Sequence, residues 1–154
     1  MVKQESYEHY MRLALDLAAE AAAEGEVPVG CVIADGSGRI VGRGRNRRER
    51  SRRVTGHAEL EALDEACRAR GDWRLEDCAL FVTLEPCPMC AGAMINARLG
   101  ALVYGAREPE SGCAASVLNL FAERFPGHTA IFSGVLGAES AALLRAFFQK
   151  RRSV

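Results

Sequence analysis

The residues of this chain best suited to chemistry come in two short stretches. One is TLEPCPMCAGAM, residues 83–94, in which Cys87 and Cys90 stand three apart. The other is TGHAE, residues 55–59, which places His57 two residues before Glu59. A Cys-x-x-Cys pair alone has three readings: a dithiol redox motif, half of a structural zinc knuckle, or part of a catalytic metal site. The redox reading lacks the usual Trp-Cys neighbourhood, and the pair comes late in the chain. A structural zinc would need a fourth ligand, and Cys67, Cys78, Cys113 and His128 are available, none of them in a paired spacing. His57 with Cys87 and Cys90 supplies nitrogen, sulfur and sulfur, which leaves one tetrahedral position open for water, as in catalytic zinc sites. Zinc brings the pKa of such a water down to about 7. Glu59 would then exchange protons with it without binding the ion.

The surrounding pattern must bring those four residues together. Residues 5–24 read as an amphipathic helix with Tyr7, Met11, Ala14, Ala18, Ala21 and Ala22 near one face, stopped by Gly25. VPVGCVIAD (27–35) and RIVGRGRN (39–46) flank an Asp-Gly-Ser-Gly turn and predict a β-hairpin. An arginine-rich loop follows, then a helix from His57 to Arg70 with Gly71 past its end. CALFVTL (78–84) has the length of a buried strand, and Pro88 suits the first turn of the next helix. ALVYGA (101–106) is a further strand, a short helix is expected over Ala115–Ala122, a last strand over 130–133, and a closing helix over Glu139–Lys150. This order predicts one α/β domain over residues 1–154: a three-layer α-β-α stack around a mixed five-stranded sheet. His57 and both cysteines then fall at helix starts, where partial positive charge favours the thiolate that binds zinc.

Composition narrows the function classes. At 154 residues the chain can bury a core, and 49% hydrophobic with 26% charged residues suits a globular domain. No apolar run is long enough to span a bilayer and the start, MVKQESYEHY, is too polar for a signal peptide, so a cytoplasmic location is expected. The six cysteines are not spaced as a disulfide framework; in a reducing compartment they serve as small hydrophobes or metal ligands. Twenty basic and twenty acidic residues cancel, which excludes indiscriminate coating of nucleic acid. The basic residues are nonetheless clustered: Arg43, Arg45, Arg47, Arg48, Arg50, Arg52 and Arg53 crowd one stretch, and Lys150, Arg151 and Arg152 close the chain. Such a run is either a solvated loop or a phosphate-facing patch. Arg47, Arg48, Arg50, Lys150, Arg151 and Arg152 are the RNA-contact candidates. Strand alternation sends Arg43 and Arg45 to one side of the hairpin and Gly44 and Asn46 to the other.

With these residues in hand, the chain resembles the bacterial tRNA-specific adenosine deaminases, within the cytidine and deoxycytidylate deaminase superfamily. The His-x-Glu and Pro-Cys-x-x-Cys pairing is a signature of zinc-dependent nucleobase deaminases. EVPVG (26–30), Asn46, HAE (57–59), TLEPCPMCAGAMI (83–95), YGAR (104–107) and AALLRAFF (141–148) match in order and spacing, so the likeness covers nearly the whole chain. It implies the cytidine deaminase-like fold, one zinc per subunit on His57, Cys87 and Cys90, and hydrolytic conversion of adenosine to inosine at the wobble position of a tRNA anticodon stem-loop. It also implies that Glu59 shuttles protons, that Asn46 contacts the nucleoside, that Val29, Gly30, Ala58 and Leu84 line the base pocket, and that the protein is a homodimer. Three stretches depart from the family pattern: Arg53-Val54-Thr55-Gly56 ahead of HAE, Glu108 where an Asp touches the substrate backbone, and Gly127-His128-Thr129 near the last strand. All lie where RNA would be gripped, and none is a metal ligand.

Two other functions share these residues. A deaminase of free bases or nucleosides needs the pocket and no phosphate patch. A zinc-stabilised RNA-binding module without catalysis needs the metal but has no use for Glu59.

Overall fold

Three strands that are apolar on both faces decide the architecture. The computed structural model describes residues 2–153. Strands β1 (Gly30–Ala34), β3 (Ala79–Leu84) and β4 (Ala101–Ala106) are buried almost throughout, as strands covered on both faces should be. Val32, Phe81 and Val103 point to one side, where α1 (Tyr7–Ala23) packs through Tyr7, Tyr10, Met11 and Ala14. Ile33, Leu80, Val82, Leu102 and Tyr104 point to the other, against α3 (Ala58–Arg70) and α4 (Pro88–Asn96). Burying each such side chain is worth about 1.5–3 kcal/mol. Tyr10 stacks on Phe81 with ring centroids 4.9 Å apart, and its hydroxyl donates to the Gly38 carbonyl at 2.7 Å.

Strand order is β2-β1-β3-β4-β5, with β2 spanning Ile40–Arg45 and β5 Ala130–Phe132. β1 pairs antiparallel with both β2 and β3, while β3, β4 and β5 run parallel. The sheet is the mixed five-stranded one that the sequence predicts, and helix α5 (Gly137–Arg152) closes the chain. On β2, Gly42 and Gly44 lie flush on α3, because a Cβ at either would overlap a backbone carbonyl of that helix.

Two local expectations fail. Within the arginine-rich loop a single helical turn forms, α2 (Arg48–Ser51), ended by Arg52 in the left-handed region at φ 53°. The helix expected over Ala115–Ala122 is reduced to a 3-10 turn at Leu120–Ala122, preceded by a bridge between Ala114 and Asn119. The amides of Ala114, Ala115 and Ser116 are bound by the side chain of Glu85.

Candidate active site

The parallel strand β3 delivers its carboxyl end to the same point as the start of α3. There the chain turns through Glu85 and Pro86 into α4. Cys87 caps that helix and Pro88 begins it, while Cys90 sits one turn in and is fully buried. His57 caps α3 from an extended conformation, φ −96° and ψ 148°, so its ring leaves the helix axis and meets the sulfurs. Its Nδ1 lies 3.7 Å from Cys87 Sγ and 3.6 Å from Cys90 Sγ.

These spacings test whether the donors fit a metal. Three donors bound at zinc distances in tetrahedral directions stand about 3.6 Å apart, and the observed separations agree. All three donor atoms lie within 4.8 Å of one another, and among the described residues no further His, Cys, Asp or Glu joins the group. The set is therefore N, S and S with one direction left for water or substrate. The Cys90 thiol, helped by His57, outweighs burial and pushes the Cys87 thiol down to about 4, which favours the thiolate form that binds zinc. The thiolate neighbour and burial raise Cys90 in turn.

Glu59 is 4% exposed, in the first turn of α3 beside this group. Burial pushes its carboxyl up to about 7, with the ring of His57 pulling the other way. A carboxyl raised out of its ordinary range by burial is suited to taking and returning a proton.

A cavity of about 210 Å³ opens above the group, floored by His57, Glu59 and Cys87. Val29, Asn46, Ala58, Leu84 and Glu108 line it. Asn46 donates from Nδ2 to the Val27 carbonyl at 3.1 Å and accepts the Arg48 amide at 3.1 Å, so its amide plane is fixed at the cavity wall with one N–H to spare. Arg48 and Arg151 stand at the rim, the latter reaching over from the end of α5.

The region from residue 4 to 106 matches the family model described as the cytidine and deoxycytidylate deaminase zinc-binding region. A tRNA-specific adenosine deaminase of Bacillus subtilis (strain 168) is 46% identical over 146 residues, covering 94% of this chain and 90% of its own. The chain belongs to the tRNA-specific adenosine deaminases of this zinc-binding deaminase family. A solved structure from work on A-to-I editing by tRNA:A34 deaminases at the wobble position superposes with a TM-score of 0.84 at 40% identity, covering 88% of this chain and 99% of that one. A guanine deaminase from Nitrosomonas europaea superposes with a TM-score of 0.80 at 26% identity, covering 91% of this chain and 83% of its own. Zinc is accordingly the ion that the nitrogen and two sulfurs fit. No helix among the described residues is long and apolar enough to cross a membrane.

Not every residue singled out from the sequence reaches the cavity. Gly30 faces the opposite layer: a Cβ there would overlap the Ala14 carbonyl of α1, and its amide donates to Thr83 Oγ1 at 3.2 Å. It is a close-packing position and not part of the lining. Arg47 is ion-paired with Glu61 at 3.0 Å, and Arg50 with Glu24. Lys150 and Arg152 are exposed at the end of α5, outside the cavity.

Two lining carboxylates went unremarked in the sequence, Glu26 and Glu85, at 1% and 2% exposure. Glu26 accepts the amides of Glu49 (3.0 Å) and Arg50 (2.8 Å) and so holds α2 against the rim. Glu85 holds the segment after β4. Burial alone would raise its carboxyl, but the Ser116 hydroxyl and the amides around it keep it below the usual range. The signal was present: each is an acidic residue inside an otherwise apolar motif, EVPVG and TLEPC.

Proposed function

We propose that the whole chain, residues 1–154, is one deaminase domain that converts adenosine to inosine at the wobble position of a tRNA anticodon stem-loop, in the cytoplasm, as a homodimer. The observation that carries the reading is the buried carboxylate of Glu59 beside the His57, Cys87 and Cys90 donors at the floor of a cavity. A site that used zinc only to hold the fold would gain nothing from an acid buried there, so the non-catalytic module is disfavoured.

In this reading His57, Cys87 and Cys90 hold zinc, which supplies the Lewis acidity that makes water a nucleophile at neutral pH. Glu59 accepts a proton from the attacking water as the C–O bond forms at purine C6 and passes it to N1, which takes the electron pair of the opened C6–N1 double bond. The proton left on the new hydroxyl then passes by way of Glu59 to the amino nitrogen as the C–N bond breaks and the C6 carbonyl forms. Water and adenosine enter; inosine and ammonia leave. Asn46 presents its remaining N–H to the nucleoside, and Val29, Ala58 and Leu84 give the flat base an apolar slot. A base inside a folded loop reaches such a slot only by leaving its stack, which brings its flanking phosphates past Arg48 and Arg151. Glu108 stands on the same rim.

The homodimer has its own support. Met89, Gly92 and Ala93 of α4 line a shallow groove with Leu60 and Phe125, and Phe125 is 50% exposed. An apolar strip of this kind, next to a helix that starts at the metal group, suits burial against a second copy.

The likeness to the Nitrosomonas guanine deaminase favours a second reading, in which a free base fills the cavity. One experiment separates the two. Zinc-loaded protein is incubated with an anticodon stem-loop bearing a wobble adenosine, and separately with adenosine, adenine and guanine, and products are read by mass spectrometry. Inosine in the RNA alone is expected. Turnover of a free base with none in RNA would overturn the tRNA reading.

A further inference from the structure

The chain between β4 and β5 has almost no regular structure, yet it supplies one wall of the cavity through Glu108 and Ser111. A single side chain holds it. Glu85 Oε2 accepts the amides of Ala114 (3.0 Å), Ala115 (2.9 Å) and Ser116 (2.9 Å). Its Oε1 accepts the amide of Glu108 at 3.1 Å and the hydroxyl of Ser116. Both ends of the segment are therefore tied to one carboxylate. Between them the chain runs flush on it, since a Cβ at Gly112 would overlap the carboxyl carbon. The Cys113 amide adds a bond to the Pro86 carbonyl at 2.8 Å. None of the ion pairs found among the described residues involves Glu85. Its charge is balanced by backbone N–H dipoles instead, an arrangement that fixes a loop in one shape because every donor must point at the same place.

We propose that Glu85 is a positioning residue for substrate recognition: by binding both ends of the 108–116 segment it sets where Glu108 and Ser111 meet the nucleotides beside the reacting base. The inference rests on the reading of this cavity as an RNA deaminase site. Glu85 lines the cavity at its wall, and both of its oxygens are taken up by the 108–116 segment, so in this proposal it acts through that wall. Losing it should weaken recognition of the RNA more than the chemical step, because the floor of the cavity comes from α3 and α4 and does not depend on this segment.

Glu85→Gln is the direct test. The amide places hydrogens where one oxygen now accepts; the Ser116 hydroxyl can turn and accept, but at least one of the four backbone amides loses its partner. The zinc-loaded variant should raise KM for the stem-loop about tenfold or more, the scale set by losing hydrogen bonds to a buried charge. Its kcat per bound zinc should stay within about threefold. Hydrogen exchange at the amides of Glu108, Ala114, Ala115 and Ser116 should speed up, while exchange in α3 stays slow. Ser116→Ala removes one bond and keeps the carboxylate, so it should shift KM in the same direction by less; it also serves if Glu85→Gln does not fold. Glu85→Asp keeps the charge and should fall between Glu85→Gln and the wild type. Unchanged KM and exchange in both Glu85→Gln and Ser116→Ala would overturn the proposal, as would a loss confined to kcat and zinc content. If the wild type edits the stem-loop and the variants match it, only this inference fails. A wild type inactive on the stem-loop would overturn the RNA reading and this inference with it.

Discussion

Gly44 and Ala58 are in direct backbone apposition: a Cβ on Gly44 would overlap the Ala58 carbonyl oxygen and stand 2.9 Å from the Ala62 amide nitrogen. The sheet therefore bears on the first turn of α3, the turn that carries His57 at its cap and Glu59 within it. Gly44→Ala should push that turn off β2 and cost about 1–3 kcal/mol, the usual range for overpacking a tight interface. It should also lower zinc per chain, because the cap moves away from the two sulfurs. Full zinc by elemental analysis with an unchanged melting temperature would show that the helix start is not set by this contact.

The donor group joins the starts of α3 and α4, so metal binding and stability should be linked. Cys87→Ala and Cys90→Ala should each lose zinc and melt lower than the wild type. Stripping the wild type with a chelator should reproduce the lower melting point, and restoring zinc should reverse it. A Cys87→Ala protein that kept one zinc per chain would remove Cys87 from the ligand set.

Glu59→Gln separates catalysis from metal binding. The amide has nearly the same shape in a buried site but cannot cycle a proton. Turnover should fall by about 10²–10⁴-fold or more, the range for general acid–base catalysis, with zinc content and fold retained. If turnover were unchanged, some other group would have to carry the proton.

What the sequence made legible was decided by how local each signal is. His57, Glu59, Cys87 and Cys90 announce themselves by type and spacing, and strand and helix periods were enough to bring them to adjacent helix starts. Buried β3 and β4 were legible for the same reason. Glu26 and Glu85 were not, because nothing local tells which amides a buried carboxylate will bind more than twenty residues away. The expected helix at 115–122 is only a 3-10 turn at Leu120–Ala122; the long-range bonds from Glu85 to Ala114, Ala115 and Ser116 gave no local sign of themselves. Gly30 marked a close approach, as a strand glycine often does, but its residue type does not say which face the neighbour occupies. The arginine run read as either a solvated loop or a phosphate-facing patch; its partners Glu24, just past the end of α1, and Glu61, in α3, are brought to it only by the fold.

Those ion pairs sharpen the test of the RNA rim. Arg47 and Arg50 face carboxylates that offset part of their charge, whereas Arg48 and Arg151 line the cavity mouth and are absent from the ion pairs among the described residues. Each arginine that neutralises a phosphate releases counterions, so stem-loop affinity should fall with salt at a log–log slope of roughly −0.7 per contact for single-stranded RNA. Replacing Arg48 and Arg151 by Ser should flatten that slope by about 0.7 for each contact removed and raise KM, with zinc content unchanged. Arg47→Ser should do less to the slope and more to stability, since it leaves Glu61, which also accepts the Arg45 amide at 3.2 Å, without its guanidinium. Removing Lys150 and Arg152 as well should flatten the slope further only if the RNA continues along α5. Equal slopes for wild type and the Arg48/Arg151 double variant would reduce the rim to a solvated loop and favour a free base as the substrate.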